Sequence, residues 1–474
     1  MKKIRIIAFI LAALTVLASF AGCFAGIKKG SKNDDTDGRP TGARVEADTA
    51  KLVQTLETAK AGEKFTLGSW EQDGNAKNGA EAIEWVILYQ DVGKALVLSD
   101  RIIDFNCFKK AEKDVKFTRS LYRDSDLRIY LNDDFYNNAF TDKEKTVILK
   151  SKITTPYIED YTVLSYETED NVFPLSVDDV SRYVTRKGTL LYGVPSDYIA
   201  DKYKSKISEV KGVEGVEKAM SWWLRDMGSS SSKNAAYVAG YDDKPSTYGW
   251  EVDYKIGIRP AMWIVYNESD MNGYANGTVQ PKPDAELDAR IASLKVGDKI
   301  EFGSYDANPY VLDGYETMTW TVLDSDDEGY LLFADNIYCQ EQFDANDDGS
   351  APKETYWEIS DLRGKINSPE FINSFFNPQE RSKLIKTHVA TENNSMWDRE
   401  CGNPTDDYLF VPSDKEIEKY FPDESTRGLS EVSYWLRSPD AFAPNIGSIV
   451  YNGSVYSSDP DGYSGIRFMM RIKK

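Results

Sequence analysis

The tripeptide Trp-Leu-Arg occurs twice, in SWWLRDMG (221–228) and SYWLRSPD (433–440), and each time the chain goes on to Gly-Ile-Arg (Gly257–Arg259 and Gly465–Arg467). The recurrence belongs to a longer pattern. AGEKFTLGSW (61–70) matches VGDKIEFGSY (296–305), GAEAIEW (79–85) matches GYETMTW (314–320), and DSDLR (124–128) matches ISDLR (359–363). Gly62 and Gly297, Trp85 and Trp320, and Arg128 and Arg363 are all 235 residues apart. A register held over so many residues means that one fold is written twice. The offset is 237 at Phe173 and Phe410 but 212 at Trp223 and Trp435, so copy one carries 25 additional residues between those marks. Copy one is placed at 47–267 and copy two at 282–474, with the Gly/Asn/Pro-containing 268–281 as linker. Each copy has the size of an ordinary domain with its own core.

Within a copy the order of elements can be read from local chemistry. EWVILYQDVGKALVLSD and WTVLDSDDEGYLLFAD each place two β-rich runs around a short turn, which predicts a hairpin. The acids Asp324, Asp326 and Glu328 fall at the tip of the second hairpin and have no counterpart in the first, so they read as a polar turn. Helix starts are predicted at Ser125 and Ser360, at Thr141-x-x-Glu144 and Asn377-Pro378-x-Glu380, and at Ser176-x-x-Asp179 and Ser413-x-x-Glu416. In each, a capping oxygen precedes the helix; in the last two pairs an acid at the third helical position can reach back. Leu52 and Leu56 match Leu287 and Ile291 in a short lead-in helix. After the third helix the pattern returns to β: WWLR, AAYVAGY and GIRPAMWIVY, then YWLR, GSIVYNGSVY and GIRFMMRI. The fold class is therefore α+β: an N-terminal β-hairpin, two to three helices, and a C-terminal antiparallel β region with long loops between WLR and GIR.

The N-terminus reads as an export signal. Lys2, Lys3 and Arg5 precede an uncharged apolar run ending in small residues, and Phe20-Ala21-Gly22-Cys23 resembles a lipobox. Residues 1–22 are expected to be a lipoprotein signal peptide and Cys23 the lipidated residue. Residues 23–46, rich in Lys, Ser, Asn, Asp and Gly, form a flexible tether. The body would then stand outside the cell, on the outer face of a bacterial membrane that it meets only through its lipid. The net charge of −20 falls to −23 without the three basic residues, which disfavours nucleic acid as a partner. Cys107, Cys339 and Cys401 remain, and Cys339 with Cys401 is the pair that lies within one copy. One histidine, His388, leaves little support for zinc or for a His-based triad.

Ser-Asp-Leu-Arg-x-x-[Leu/Ile]-Asn, Phe-x-x-x-Glu (Phe140 to Glu144, Phe376 to Glu380), Trp-Leu-Arg and Gly-Ile-Arg-Pro-Ala-Met-Trp together resemble a domain-of-unknown-function family of exported Firmicutes proteins. The closing block also resembles the last strands of C-type-lectin-like folds of the formylglycine-generating-enzyme branch. That resemblance implies two tandem C-type-lectin-like domains. It carries over no chemistry: the Glu-Pro-Asn, Gln-Pro-Asp and Trp-Asn-Asp elements that hold sugar in calcium-dependent lectins are missing, as is the enzyme's cysteine pair. In copy two, Phe468-Met469-Met470-Arg471 replaces Pro-Ala-Met-Trp, so its last strand is expected to pack differently.

Three sets of residues are candidates for function. Arg225, Arg259, Arg437 and Arg467 sit among apolar neighbours and must be paired; Asp126 and Asp361 are the expected partners, and a clamp on a carboxylate or sulfate is the functional alternative. Asp344, Asn346 and Asp348 begin a calcium-type loop whose twelfth position is Thr355 instead of glutamate; calcium here is the one cofactor considered. Tyr237, Tyr241, Asp242, Tyr248 and Trp250 in copy one, and Phe442, Asn445, Tyr451, Tyr456, Asp459 and Tyr463 in copy two, offer flat rings beside adaptable hydrogen-bonding groups. The expected function is a non-catalytic surface module that binds a glycan, wall polymer or protein. The alternatives are an envelope-acting hydrolase with paired carboxylates and a structural or sensory ectodomain.

Overall fold

A computed structural model describes residues 47–75, 77–110, 121–159, 162–184, 188–231, 233–240, 245–305, 315–345, 354–391, 401–428, 432–439 and 447–474. Two hydrophobic cores organise them, one drawing on residues between Leu52 and Ile264 and the other on residues between Leu287 and Ile472. Among the described residues no helix is long and apolar enough to cross a membrane.

Each copy opens with a three-stranded antiparallel meander. In copy one the strands are Lys64–Trp70, Glu81–Asp91 and Lys94–Ser99; in copy two they are Lys299–Tyr305, Glu316–Ser325 and Tyr330–Ala334. The predicted hairpins are the second and third strands of each set. A buried tryptophan pins the first strand to the second: Trp85 Nε1 donates to Leu67 O at 2.8 Å and Trp320 Nε1 to Phe302 O at 2.6 Å. Its ring is sealed while its one polar atom is satisfied, as a buried indole requires. Gly93 in the copy-one turn has φ +76°, and a Cβ there would meet Asn267 O at 2.2 Å, so only glycine fits.

The predicted caps form. Ser125 and Ser360 accept from Arg128 N and Arg363 N, and capping boxes close at Thr141/Glu144, Asn377/Glu380, Ser176/Asp179 and Ser413/Glu416. Glu144 and Glu380 also accept from Gly68 N (3.1 Å) and Gly303 N (2.9 Å), tying this helix start to the first strand. Leu52, Leu56, Leu287 and Ile291 are buried in the lead-in helices Thr49–Leu56 and Ala285–Ala292.

In the C-terminal β region the runs AAYVAGY and GSIVYNGSVY contribute to strands, as read from sequence, whereas Pro245–Glu251, expected in a loop, is a strand too: Asn234–Val238 pairs with Pro245–Glu251, and Gly447–Tyr451 with Ser454–Ser458. The second of these turns at Asn452-Gly453, with φ 48° and 86°, the mirror-image turn that matches strand twist. Contrary to expectation, the region is not wholly antiparallel. The WLR strands Trp222–Met227 and Tyr434–Pro439 run parallel to the GIR strands Lys255–Ile258 and Ser464–Gly465, with Trp222 opposite Gly257 and Tyr434 opposite Gly465. The hairpin occupies one flank of the WLR strand, so the chain returns along the other flank in the same direction.

After GIR the chain leaves this second sheet and enters the first. Ala261–Val265 pairs with Lys94–Ser99 and Ile148–Leu149, and Met469–Ile472 pairs with Tyr330–Ala334 and Leu384–Ile385. The last strand of copy two thus takes the same place as that of copy one, contrary to the expectation from its altered block. Phe468 stands where Pro260 does and is fully buried, so an apolar ring does the packing there.

The 268–281 segment is not simply a loop. Asn267 caps a helix at Glu268–Ala275, because its side chain accepts from Asp270 N. Polar contacts also run between the copies. Arg381 Nε donates to Tyr274 Oη at 2.9 Å with Asp91 3.6 Å away, and Arg182 donates to Ser374 O (2.5 Å) and Tyr315 Oη (2.6 Å). Cys107, Cys339 and Cys401 form no disulfide among the described residues, so the Cys339–Cys401 bridge considered from sequence is not formed; burial pushes the Cys339 thiol up to about 12.

Candidate functional site

The four repeated arginines turn inward. Arg225 ion-pairs with Asp179 and donates to Pro174 O at 3.1 Å. Arg437 forms a two-pronged pair with Glu416, one prong at 2.8 Å, and donates to Val411 O at 2.9 Å. Both acids are the ones that close the capping boxes of the third helix, so a single carboxylate caps a helix and neutralises a buried cation. The Nε of each arginine is buried without a partner among the described residues. Among the described residues Arg259 forms no ion pair with a carboxylate: it donates to Ser99 O (2.8 Å), Leu190 O (2.5 Å) and Asp100 O (3.1 Å) and lies over Trp222. Desolvation therefore dominates and brings it down to about 10, with Asp100 opposing. Arg467 likewise donates to Ala334 O (2.8 Å) and Arg427 O (3.3 Å) and sits 4.0 Å from the Phe333 ring centre.

The expectation that Asp126 and Asp361 pair with these arginines is incorrect. Asp126 accepts from Lys110 N at 2.8 Å, and Asp361 faces Ala345 N at 3.4 Å. They stand in the first turn of their helices, where their charge suits the exposed backbone amides. The other arginine of the same motif carries an ion pair of its own. Arg128 binds Asp170 and Arg363 binds Asp407, at 2.7 and 2.8 Å. Both aspartates are fully buried and each takes a threonine hydroxyl, from Thr168 or Thr405. Sequence reading missed these acids; their matched positions in ETED and PTDD are the signal that would have found them.

Asp226, which follows Arg225 directly, is the most perturbed carboxyl near the WLR strand. Burial pushes it up to about 6, against the opposing pull of Arg225 and the Val177 amide, which donates to it at 2.7 Å. Asp179 is also desolvated, but Arg225 and the Ser176 backbone outweigh that and hold it below the ordinary value. Ser438 replaces Asp226 in copy two; its hydroxyl accepts from Asp414 N at 3.0 Å and donates to Asp414 Oδ1 at 2.7 Å.

The aromatic candidates lie on strands as well as loops. In copy one Tyr237 and Trp250 occupy adjacent strands of the second sheet, with ring centres 5.2 Å apart, and Tyr254 stacks on Trp250 at 5.3 Å. Tyr254 was not singled out in sequence; its place four residues after Trp250, across a tight turn, makes the strip continuous. A shallow pocket beside it is lined by Phe105, Lys206, Ser221, Trp250, Tyr254 and Lys255. Lys206 comes from the additional residues of copy one, so that pocket wall has no equivalent in copy two. Tyr248 projects at the sheet edge, 75 % exposed.

In copy two Tyr451 and Tyr456 meet across the outermost hairpin, 6.4 Å apart and edge to face. Tyr463 is 68 % exposed. Asp459 is exposed in the turn whose backbone supports Phe343 and Asp344 through Pro460 O. Tyr241, Asp242, Phe442 and Asn445 lie outside the described residues, as do Cys23, Asn346 and Asp348. Asp344 is buried, accepts from Thr355 Oγ1 at 2.9 Å, and has Asp361 N at 3.4 Å. Burial raises its carboxyl, so the structure shows it as an internal acceptor for the following turn.

A family model described as "Domain of unknown function (DUF6273)" matches residues 92–266 and 327–474. No curated protein and no solved structure matches the chain. The two matched stretches span the meander's last strand, the capped helices and the WLR and GIR strands of each copy. The chain therefore belongs to the DUF6273 domain-of-unknown-function family, and the family's domain occurs in it twice.

Proposed function

We propose that this is an exported, lipid-anchored binding protein that holds a surface glycan or wall polymer without cleaving it. The observation that carries the reading is that the second sheet of each copy bears neighbouring aromatic rings, at positions that differ between the copies: Tyr237, Trp250 and Tyr254 in copy one, Tyr451 and Tyr456 in copy two. Flat rings on a shallow surface can stack on sugar faces, while neighbouring amide and carboxylate groups orient hydroxyls. The inward turn of all four repeated arginines favours a stacking surface over an anion clamp. We extend the fold reading to a C-type-lectin-like architecture, because the closing block passes from the second sheet into the first in both copies.

An array of glycans and wall fragments tests the function. The wild type is expected to retain at least one class of polymer, and Trp250→Ala or Tyr456→Ala to weaken retention about tenfold, roughly 1.4 kcal/mol. Retention of nothing, or equal retention by both variants, overturns the proposal. Release of reducing ends from the same polymers would establish the hydrolase instead. The anchor is tested separately: Cys23→Ser should move the protein from the membrane fraction into the medium, and an unchanged distribution would refute lipidation.

A further inference from the structure

The first two strands of copy one are joined by residues 71–80, and their last paired residues are Trp70 and Glu81. Glu71 and Glu81 therefore flank the mouth of this loop, and Asp73 lies just inside it. Their carboxylate oxygens come within 4.8 Å of one another. Each carboxylate is held in place by a donor. Gly74 N donates to Glu71 Oε1 at 2.6 Å, Gln72 N to Glu81 Oε2 at 2.7 Å, and Asn75 N and Asn78 Nδ2 to the two oxygens of Asp73, both at 2.7 Å. The loop is itself fastened from outside, because Tyr198 N donates to Gln72 O at 2.8 Å.

Among the described residues no ion pair joins these three acids to a lysine or arginine; Lys77, in the same loop, is exposed. Lys64, on the strand leading into the loop, is occupied by Glu84 and Asp100, each at 3.0 Å. Glu71 is only 2 % exposed, and its Oε2 is buried with no hydrogen-bond partner among the described residues. A sealed carboxylate oxygen facing two further acids is costly unless a proton or a cation sits between them. Burial also prevents Glu71 from meeting a polymer substrate, which argues against a catalytic acid.

We propose that Glu71, Asp73 and Glu81 bind a calcium ion, with Glu71 Oε2 as the inner ligand and Asp73 on the solvent side. The donors are all oxygen, which selects a hard cation; their placement on an irregular loop suits the adaptable coordination of calcium better than the strict octahedron of magnesium. At the 235-residue register copy two carries Asp306, Asn308 and Glu316, again oxygen donors, the first two outside the described residues. The site is distinct from the loop that begins at Asp344. Its role would be to lock the mouth of the first hairpin.

Calorimetric titration of the chelator-treated full chain with calcium chloride, together with thermal unfolding, tests this. The expected dissociation constant is on the order of 0.1–1 mM, in the range of extracellular modules. Calcium should raise the unfolding midpoint, and Glu71→Gln and Asp73→Asn should each weaken binding at this site at least tenfold. Both variants keep an acceptor oxygen, so an unchanged midpoint in chelator shows that they fold. Wild-type affinity in Glu71→Gln, or a wild-type midpoint unmoved by calcium, overturns the site. A midpoint that rises in Glu71→Gln without calcium, while calcium does nothing to the wild type, assigns the contact to a shared proton and equally overturns it.

Discussion

Arg437→Ala is expected to destabilise copy two by about 2–4 kcal/mol, less than the full cost of a stranded buried charge because the Glu416 side chain is 26 % exposed and water can solvate part of it. Arg437 is 3 % exposed and holds Glu416 with two prongs, while the same guanidinium supports Val411 O and Ala390 O. Removing it leaves the Glu416 carboxylate without its cation, takes the guanidinium off the Phe410 ring and frees the buried Val411 carbonyl. Glu416→Ala should cost a similar amount by stranding the guanidinium, with an added loss at the helix start, because Glu416 also accepts from Ser413 N at 2.9 Å. The double replacement should cost less than the sum of the two, since the residues act as one unit. Urea unfolding of the single and double variants measures this. A loss below about 1 kcal/mol for Arg437→Ala would place the pair with weak surface bridges and refute the buried reading.

A second expected result separates the two copies by pH. Because Asp226 is raised from 3.8 to about 6 in the folded chain, the native state binds more protons than the unfolded state between those values. Stability from this group therefore falls as pH rises from about 4 to about 6 and stays low above that. Asp226→Asn can retain an acceptor for Val177 N while removing the charge, so it should abolish the slope and stabilise copy one at pH 7 by at most about 3 kcal/mol. Asp179 works in the opposite sense and in a lower window: its depressed carboxyl contributes stability above its unfolded value and loses it as pH falls below 3.8. Copy two is the internal control, since Ser438 does not ionise. Urea midpoints that do not move between pH 4 and 6 in the wild type would show that Asp226 is not perturbed as its burial implies.

Much of the scaffold was legible because its determinants are local. Ser413 and Glu416 lie three residues apart, and that spacing alone makes a capping box feasible. The same locality explains Leu52 with Leu56, and the paired runs that became hairpins. The partner of Arg437 was not legible in this way. Glu416 is 21 residues distant, and the two meet only after the third helix packs on the WLR strand. Sequence reasoning reached for Asp361 because it belongs to another repeated motif, but recurrence marks a position as structural without saying what it touches. The aromatic strip was partly legible: Tyr237 and Trp250 were singled out as loop residues, whereas strand pairing sets their ring contact and brings Tyr254 onto the end.

The duplication, the order of elements in each copy and the caps were written in the chain, because they depend on residues close in sequence or on a register that two copies repeat. Which acids neutralise Arg225 and Arg437, the parallel course of WLR and GIR, and the meeting of Glu71, Asp73 and Glu81 were settled by folding. Those features depend on separations through space and on exclusion of water, and neither exists until the sheets and helices have packed.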